Sequence, residues 1–571
     1  MFVNRERLSR LLLPSLCLLN LLVMHNYLLI TCQVEDAVDW TSWIDNVAWS
    51  IVDVWVLYTL ALLLFKGKRI ATAIVFVITL LWSFCNVLYS RFFYHYISWS
   101  AISEVGSIAD PLVLDSSLAG LRWMDLYYVF VGFLFIFIYC KGNIWGLNGK
   151  KYIIKSLVLL AFLLLFDISA HVLYAFSHPE LRYLTYLKRR LENRVFGTNH
   201  LLALPLYANF HNGAVKSLLI EGVQSLEGNI TLSKDQIHSI ERELDKSRTT
   251  LVNAKPIDVQ NVIFILVESY MSFVTDMVVD GQEVTPNLNA LKKDSTVYFN
   301  GKVQSNITMG ESADGQYIYM TGLLPLRSMI TVSKASEKPL PSLPKSLKKH
   351  GIVHSRMVLP TSSALWRQDV MCRQYGFDSL YASNNFPGEH KQTLTDEQVF
   401  EYAKTIDETS PDHFFSIVLT ASMHQPYDKI LDSTFVVNDP SINHELAYYL
   451  NACHYTDREI GNYLDFLKTT GLYNKSLIVI TADHHVHHTD FGGGIAHDIP
   501  LFIVNGGIGN NAYRGPCNQV DIYTTLMDLF AIKDGWIGLG SSLLNTIYTN
   551  SVTDKRWDIA EWLLLSDYFR M

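Results

Sequence analysis

Cysteine is scarce in this chain: seven in 571 residues, and none forms a Cys-x-x-Cys pair. Only Cys372, Cys453 and Cys517 lie beyond residue 140, which argues against both a disulfide framework and a structural zinc knuckle. A basic excess is missing too. With a formal net charge of −8 and no Arg/Lys stripe interleaved with aromatics, the chain lacks the electrostatic footprint that nucleic-acid binding requires. Long apolar runs are absent after about residue 176, although 49% of the chain is hydrophobic. The apolar residues are thus concentrated in the first third, and at least two bodies are expected.

Five stretches in that first third, about 11–31, 46–65, 70–89, 123–140 and 152–175, are long enough to cross a hydrocarbon core of ~30 Å as helices. The first is longer than an ordinary signal-peptide core and no small-residue cleavage site follows it, so it reads as a span. Basic residues fix the orientation: Arg5, Arg7 and Arg10 precede the first helix, Lys66, Lys68 and Arg69 follow the second, and Lys141, Lys150 and Lys151 follow the fourth. The loop after the first helix carries Glu35, Asp36, Asp39 and Asp45 and no Lys or Arg. Five crossings then place everything beyond about residue 176 outside the cytoplasm. One helix would suffice as an anchor; five leave two readings open, simple anchoring or a bundle that positions a lipid, with Trp99, Trp123, Tyr127 and Tyr128 where an interfacial belt would sit.

Residues 177–258 read as a helical, amphipathic connector. Leu187, Leu191 and Phe196 lie opposite Lys188, Arg189, Arg190 and Arg194, the pattern of a helix on a membrane surface. Ser233, Asp235 and the run from Ile237 to Arg248 predict a capped surface helix, stopped by Ala254, Lys255 and Pro256.

From residue 259 the pattern changes to apolar, β-branched runs that end in polar residues. Asn261 to Val267 ends in Glu268 and Ser269, Phe414 to Leu419 leads into Thr420, Ser422 and His424, and Leu477 to Ile480 leads into Thr481, Asp483 and His484. These are buried parallel strands of an α/β domain, which binds ligands beyond the carboxyl ends of its strands. Glu268, His424, Asp483 and His484 should therefore converge on one crevice, with His497 just before a fourth strand, Ile499 to Val504. Two carboxylates and an imidazole form a mixed oxygen and nitrogen site suited to zinc or manganese. Taken singly, Glu268 could serve a helix cap and Asp483 and His484 a strand-end turn. The neighbouring His485, His487 and His488 are left unassigned.

Between the first two strands lies Thr308-Met309-Gly310-Glu311-Ser312-Ala313-Asp314-Gly315-Gln316, a polar stretch before an apolar helical run. Ser312 is placed at a helix N-terminus, where free amides and the dipole favour a phosphoryl anion and a metal on Oγ would make it a nucleophile. The plainer reading makes it an N-cap.

Val267-Glu268-Ser269, Thr285-Pro286-Asn287-Leu288, Gly310-Glu311-Ser312-Ala313-Asp314, Asp483-His484 and His497-Asp498-Ile499-Pro500 follow one another in the order found in lipoteichoic acid synthases. The chain resembles that phosphoglycerol transferase family, within the alkaline phosphatase and sulfatase superfamily, and more loosely the phosphoethanolamine transferases. The resemblance implies a multi-pass helical membrane domain (1–176), a connector (177–258) and an extracytoplasmic sulfatase-like α/β domain (259–571) with a mostly parallel central sheet, in a bacterial cell membrane. It implies one divalent ion, Mn2+ or Zn2+, held by Glu268, Ser312, Asp483 and His484, with Ser312 where a threonine nucleophile is usual. It gives His424 a place at the substrate phosphate or leaving group, and His497 one near a second metal in the phosphoethanolamine branch. Trp366 matches the tryptophan of a Trp-x-Arg element, but here Arg367 follows it directly.

The activity implied is transfer of a phosphoglycerol or phosphoethanolamine group from phosphatidylglycerol or phosphatidylethanolamine, through Ser312, to a cell-envelope glycan or lipid. Imidazole suits His424 to general acid/base work. Sulfatase chemistry is disfavoured, since Ser312 is followed by Ala313-Asp314-Gly315 and not by the x-Pro-x-Arg that formylglycine formation needs. A hydrolase using water as acceptor, and a non-catalytic binding protein with a degenerate site, are the alternatives.

Overall fold

The computed structural model describes residues 5–31, 40–65, 68–93, 95–104, 110–141, 158, 213–226 and 229–570, with short omissions at 254, 328, 385, 387–392, 411, 487–490 and 492–494. The fifth predicted span and the basic face of the connector lie outside these residues, as do His487 and His488. Two compact units form: Met1–Ile102 with Ser117–Glu227, and Ser103–Ser116 with Gly228–Met571.

In the first unit, four described helices hold stretches long and apolar enough to cross a membrane: Leu13–Thr31, Asn46–Leu64, Arg69–Phe93 and Trp123–Cys140. Leu13, Leu16, Cys17, Ala61, Ala71, Val75, Phe76, Val131 and Phe135 form one core between them. The alanines let the backbones approach, which is how helices pack where lipid already satisfies apolar surface. The charged side chains Arg91 and Asp53 inside this unit are paired. The Arg91 guanidinium forks onto Asp125 at 2.8 and 2.7 Å and also donates to the Tyr27 hydroxyl at 2.8 Å. Asp53 accepts from the Ala214 and Val215 amides, 2.8 and 3.2 Å away, and so caps the helix Ala214–Leu226.

The second unit is built on an eight-stranded sheet. Its strands are β1 (Asn261–Val267), β4 (Tyr298–Gln304), β5 (His354–Val358), β6 (Ser379–Tyr381), β7 (Phe414–Leu419), β8 (Ser476–Ala482), β9 (Ile499–Val504) and β10 (Cys517–Asn518), in the order β10-β4-β9-β8-β1-β7-β5-β6. A separate two-residue hairpin contains β2 (Val278–Val279) and β3 (Gln282–Glu283). Every residue of β1, β7, β8 and β9 is buried, as runs of Val, Ile, Leu and Phe without polar alternation require when helices cover both faces. Among these strands only β9 runs against its neighbours, antiparallel to both β8 and β4. The sheet is therefore mostly parallel, as the resemblance implied. The helix predicted after Ser233 is also found: Lys234–Arg248 is closed by a capping box of Ser233 and Gln236.

Candidate active site

Adjacent parallel strands β8, β1 and β7 end at one edge of the sheet, so Asp483, Glu268 and the Thr420–His424 turn come side by side. Because β9 is antiparallel to β8, its beginning lies at that same edge and carries His497 there. The helix Glu311–Thr321 supplies Ser312 in its first turn. Gly310 is the N-cap, so the serine hydroxyl is free of capping duty.

Ser312 Oγ lies 3.2 Å from Glu268 Oε2 and 3.2 Å from His484 Nε2. His484 Nε2 is 3.6 Å from Glu268 Oε1 and 3.7 Å from Asp483 Oδ2. Donor atoms of Glu268, Asp483 and His484 all fall within 4.8 Å of one another. A tetrahedral shell with bonds of ~2.1 Å has edges of ~3.4 Å, so these four side chains fit a zinc- or manganese-sized ion. A second layer aims them. The Nδ1–H of His484 donates to the His485 carbonyl at 2.8 Å, which turns the Nε2 lone pair inward. Ser269 donates from Oγ to Glu268 Oε1 at 2.7 Å and from its amide to Asp483 Oδ1 at 2.9 Å.

Charge in the site calls for a cation. Burial, and then the Glu268 charge, push the Asp483 carboxyl up to about 7. Burial alone would lower His484, but Asp483, Glu268 and Glu311 outweigh it and push the imidazole up to about 9. Without a metal, Asp483 and His484 hold protons in its place. His424 moves the other way: desolvation lowers its pKa, while its Nδ1–H is engaged by the Gln425 carbonyl at 2.6 Å.

Backbone strain gathers here. Ser269, Glu311, Trp366 and Arg367 all have positive φ, at 51°, 47°, 52° and 52°. Non-glycine residues hold this conformation only where surrounding contacts enforce it, commonly at functional sites.

Glu268, Ser312, Asp483 and His484 are thus brought together. His497 stacks on His485 with ring centroids 5.1 Å apart. Arg367 pairs with Glu104 at 2.6 Å and donates to the Ser336 hydroxyl at 3.3 Å. Sequence reasoning gave no role to Thr420, whose hydroxyl accepts from the Glu268 amide at 3.0 Å, and missed Gln519, which donates to the Asp483 carbonyl at 2.5 Å. Thr420 stood at a strand end and could have been found on that signal. Gln519 carries none, being some 36 residues from its partner.

The family model described as Sulfatase matches residues 260–532. Lipoteichoic acid synthase 2 of Bacillus subtilis is 26% identical over 528 residues, covering 87% of this chain and 78% of that protein. The lipoteichoic acid synthase of Staphylococcus aureus is 23% identical over 533 residues, again covering 87% and 78%. Among solved structures, the integral membrane protein lipooligosaccharide phosphoethanolamine transferase A from Neisseria meningitidis superposes with a TM-score of 0.51 at 13% identity, covering 94% of this chain and 98% of that one. That last likeness is one of fold.

Proposed function

We propose that this chain, a lipoteichoic acid synthase-like transferase of the alkaline phosphatase and sulfatase superfamily, moves a phosphoglycerol or phosphoethanolamine group from a phospholipid to a cell-envelope glycan or lipid. The observation that carries the reading is the position of Ser312 Oγ, 3.2 Å from both Glu268 Oε2 and His484 Nε2 in the first turn of a helix. The division 1–176, 177–258 and 259–571 belongs to it, with the catalytic part on the extracytoplasmic side of a bacterial cell membrane.

Glu268, Ser312, Asp483 and His484 would hold one divalent ion, Mn2+ or Zn2+, which when bound would supply positive charge against the phosphoryl oxygens and lower the pKa of the serine hydroxyl. In the first step Ser312 Oγ forms a bond to phosphorus while the bond from phosphorus to the diacylglycerol oxygen breaks. His424 gives the Nε2 proton of its imidazolium form to that leaving oxygen; desolvation lowers its pKa, which makes the imidazolium a stronger acid and a scarcer one. In the second step an acceptor hydroxyl passes its proton to His424 Nε2 as its oxygen attacks phosphorus, and Ser312 Oγ leaves. The N-terminal end of the 311–321 helix presents its positive dipole to the anion throughout. Trp366, Arg367 and His497 are assigned to binding the head group and acceptor.

The test is to incubate purified full-length protein with phosphatidylglycerol or phosphatidylethanolamine and Mn2+, then to weigh the Ser312-containing peptide. A phosphoglycerol or phosphoethanolamine adduct is expected, and its mass tells which head group is moved. The proposal is lost if no adduct forms and Ser312→Ala releases as much diacylglycerol as the wild type.

A further inference from the structure

We infer that Glu104, Asp110 and Ser116 belong to the transfer site, with Glu104 acting as a positioning residue for Arg367. This rests on the transferase reading above. In sequence these residues fall between two membrane-spanning helices, yet Ser103–Ser116 folds with the second unit.

They fasten onto two loops at the active edge of the sheet. One loop leaves the carboxyl end of β5 and contains Ser362, Trp366 and Arg367; the other leaves that of β7, next to β5, and contains His424 and Gln425. Glu104 Oε1 meets Arg367 Nη2 at 2.6 Å. Asp110 Oδ2 accepts from the Ser362 amide at 3.2 Å and from its hydroxyl at 2.5 Å. Ser116 Oγ donates to the Gln425 carbonyl at 3.1 Å, the same oxygen that takes the Nδ1–H of His424. One short segment therefore contacts both loops that carry expected substrate ligands.

Glu104 is the consequential contact. Its side chain is only 7% exposed, against 31% for Arg367, so the carboxylate is sunk and the guanidinium keeps a face toward solvent. Trp366 and Arg367 sit consecutively in the left-handed region, a conformation that neighbours must enforce. Arg367 is held at Nη2 by Glu104 and at Nη1 by Ser336, which leaves further N–H donors of its fork for a phosphate oxygen. Glu104 thus fixes where the arginine can meet an anion, although the arginine stands one place from the usual Trp-x-Arg position.

A double-mutant cycle on the full chain tests this. Diacylglycerol release from phosphatidylglycerol is measured for wild type, Glu104→Ala, Glu104→Gln, Arg367→Ala and Glu104→Ala/Arg367→Ala, with Ser312→Ala as the blank. Glu104→Ala and Arg367→Ala are each expected to raise KM roughly tenfold, as loss of a charge-assisted hydrogen bond does, with kcat within about threefold. Glu104→Gln, which can still accept from the guanidinium, should fall between. The double variant should be no worse than Arg367→Ala alone, since Glu104 acts only through that arginine. An unchanged KM in Glu104→Ala, or effects that multiply in the double variant, would overturn the inference. Release that survives Ser312→Ala, or none from wild type, counts instead against the transferase reading. The same cycle, read as the Kd for inorganic phosphate, then still decides the role of Glu104.

Discussion

Gly315 lies flush against the backbone of Asp483: a Cβ at that position would come within 2.3 Å of the Asp483 carbonyl oxygen. This contact seats the helix bearing Ser312 directly beneath the strand end bearing Asp483 and His484. Backbone cannot yield as a flexible side chain can, so Gly315→Ala must push the two elements apart. Overpacking of this kind costs about 1–3 kcal/mol. Its larger effect is expected on turnover, because displacement of a nucleophile by ~1 Å can cost about 100-fold. A variant that keeps most of its thermal stability and loses its diacylglycerol release is the expected result. Full activity would mean that the helix has room to shift without consequence.

His424 should matter in proportion to how poor the leaving group is. Its Nδ1–H is tied to the Gln425 carbonyl, so Nε2 alone is available to the diacylglycerol oxygen. His424→Ala is expected to slow release of diacylglycerol by about 10²- to 10⁴-fold, the usual worth of a general acid. A phosphodiester with a nitrophenolate leaving group needs no proton and should react within a few-fold of wild type. Equal losses on both substrates would assign His424 to binding instead.

Metal binding should strengthen with pH. In the metal-free fold Asp483 is pushed from 3.8 up to about 7 and His484 from 6.5 up to about 9, so both keep protons that the unfolded chain gives up. Their stabilising contribution is complete in acid and is lost as pH rises, between about 4 and 7 for Asp483 and between about 6.5 and 9 for His484. Each retained proton accounts for up to about 1.4 kcal/mol per pH unit within its window. A cation must displace these protons, so the rise in Tm on adding Mn2+ or Zn2+ should be small at pH 5 and large at pH 8.5. A metal-induced shift that is constant across this range would show that the two groups are not linked to the ion.

What the sequence makes legible here is whatever lies at strand ends. A fully buried strand reads as an unbroken apolar run, and the first polar residues after it, Glu268, Asp483 and His484, announce themselves by contrast. Ser312 is legible because glycines and acids flank it just before a helical pattern. The antiparallel course of β9 is not, since Ile499–Val504 has the same apolar run as its parallel neighbours, and direction is set by tertiary pairing. Nor is the place of Glu104, Asp110 and Ser116, because an acid in a loop between apolar helices looks like ordinary solvated surface. Their partners lie 252 or more residues away, and no local period records such contacts.

Gln519 offers the sharpest test of that hidden layer. It is fully buried, and its amide joins three elements: Nε2 donates to the Asp483 carbonyl at 2.5 Å and to the Tyr319 hydroxyl at 3.1 Å, while Oε1 accepts from the Asn306 amide at 2.8 Å and the Ser305 hydroxyl at 3.2 Å. Tyr319 belongs to the helix that carries Ser312, and Ser305 and Asn306 lead into it. Gln519→Leu fills a similar volume but strands these partners, and each buried group left unsatisfied costs about 1–3 kcal/mol. Gln519→Glu keeps the acceptors' side and turns a carboxylate oxygen toward the Asp483 carbonyl, a repulsion in a dry site. The glutamate variant should therefore be the less stable of the two at neutral pH and should recover in acid, where its carboxyl is protonated and can donate again. Thermal unfolding of both variants between pH 5 and 8 checks this. A glutamate variant as stable as wild type at pH 8 would mean that Gln519 does not brace Asp483.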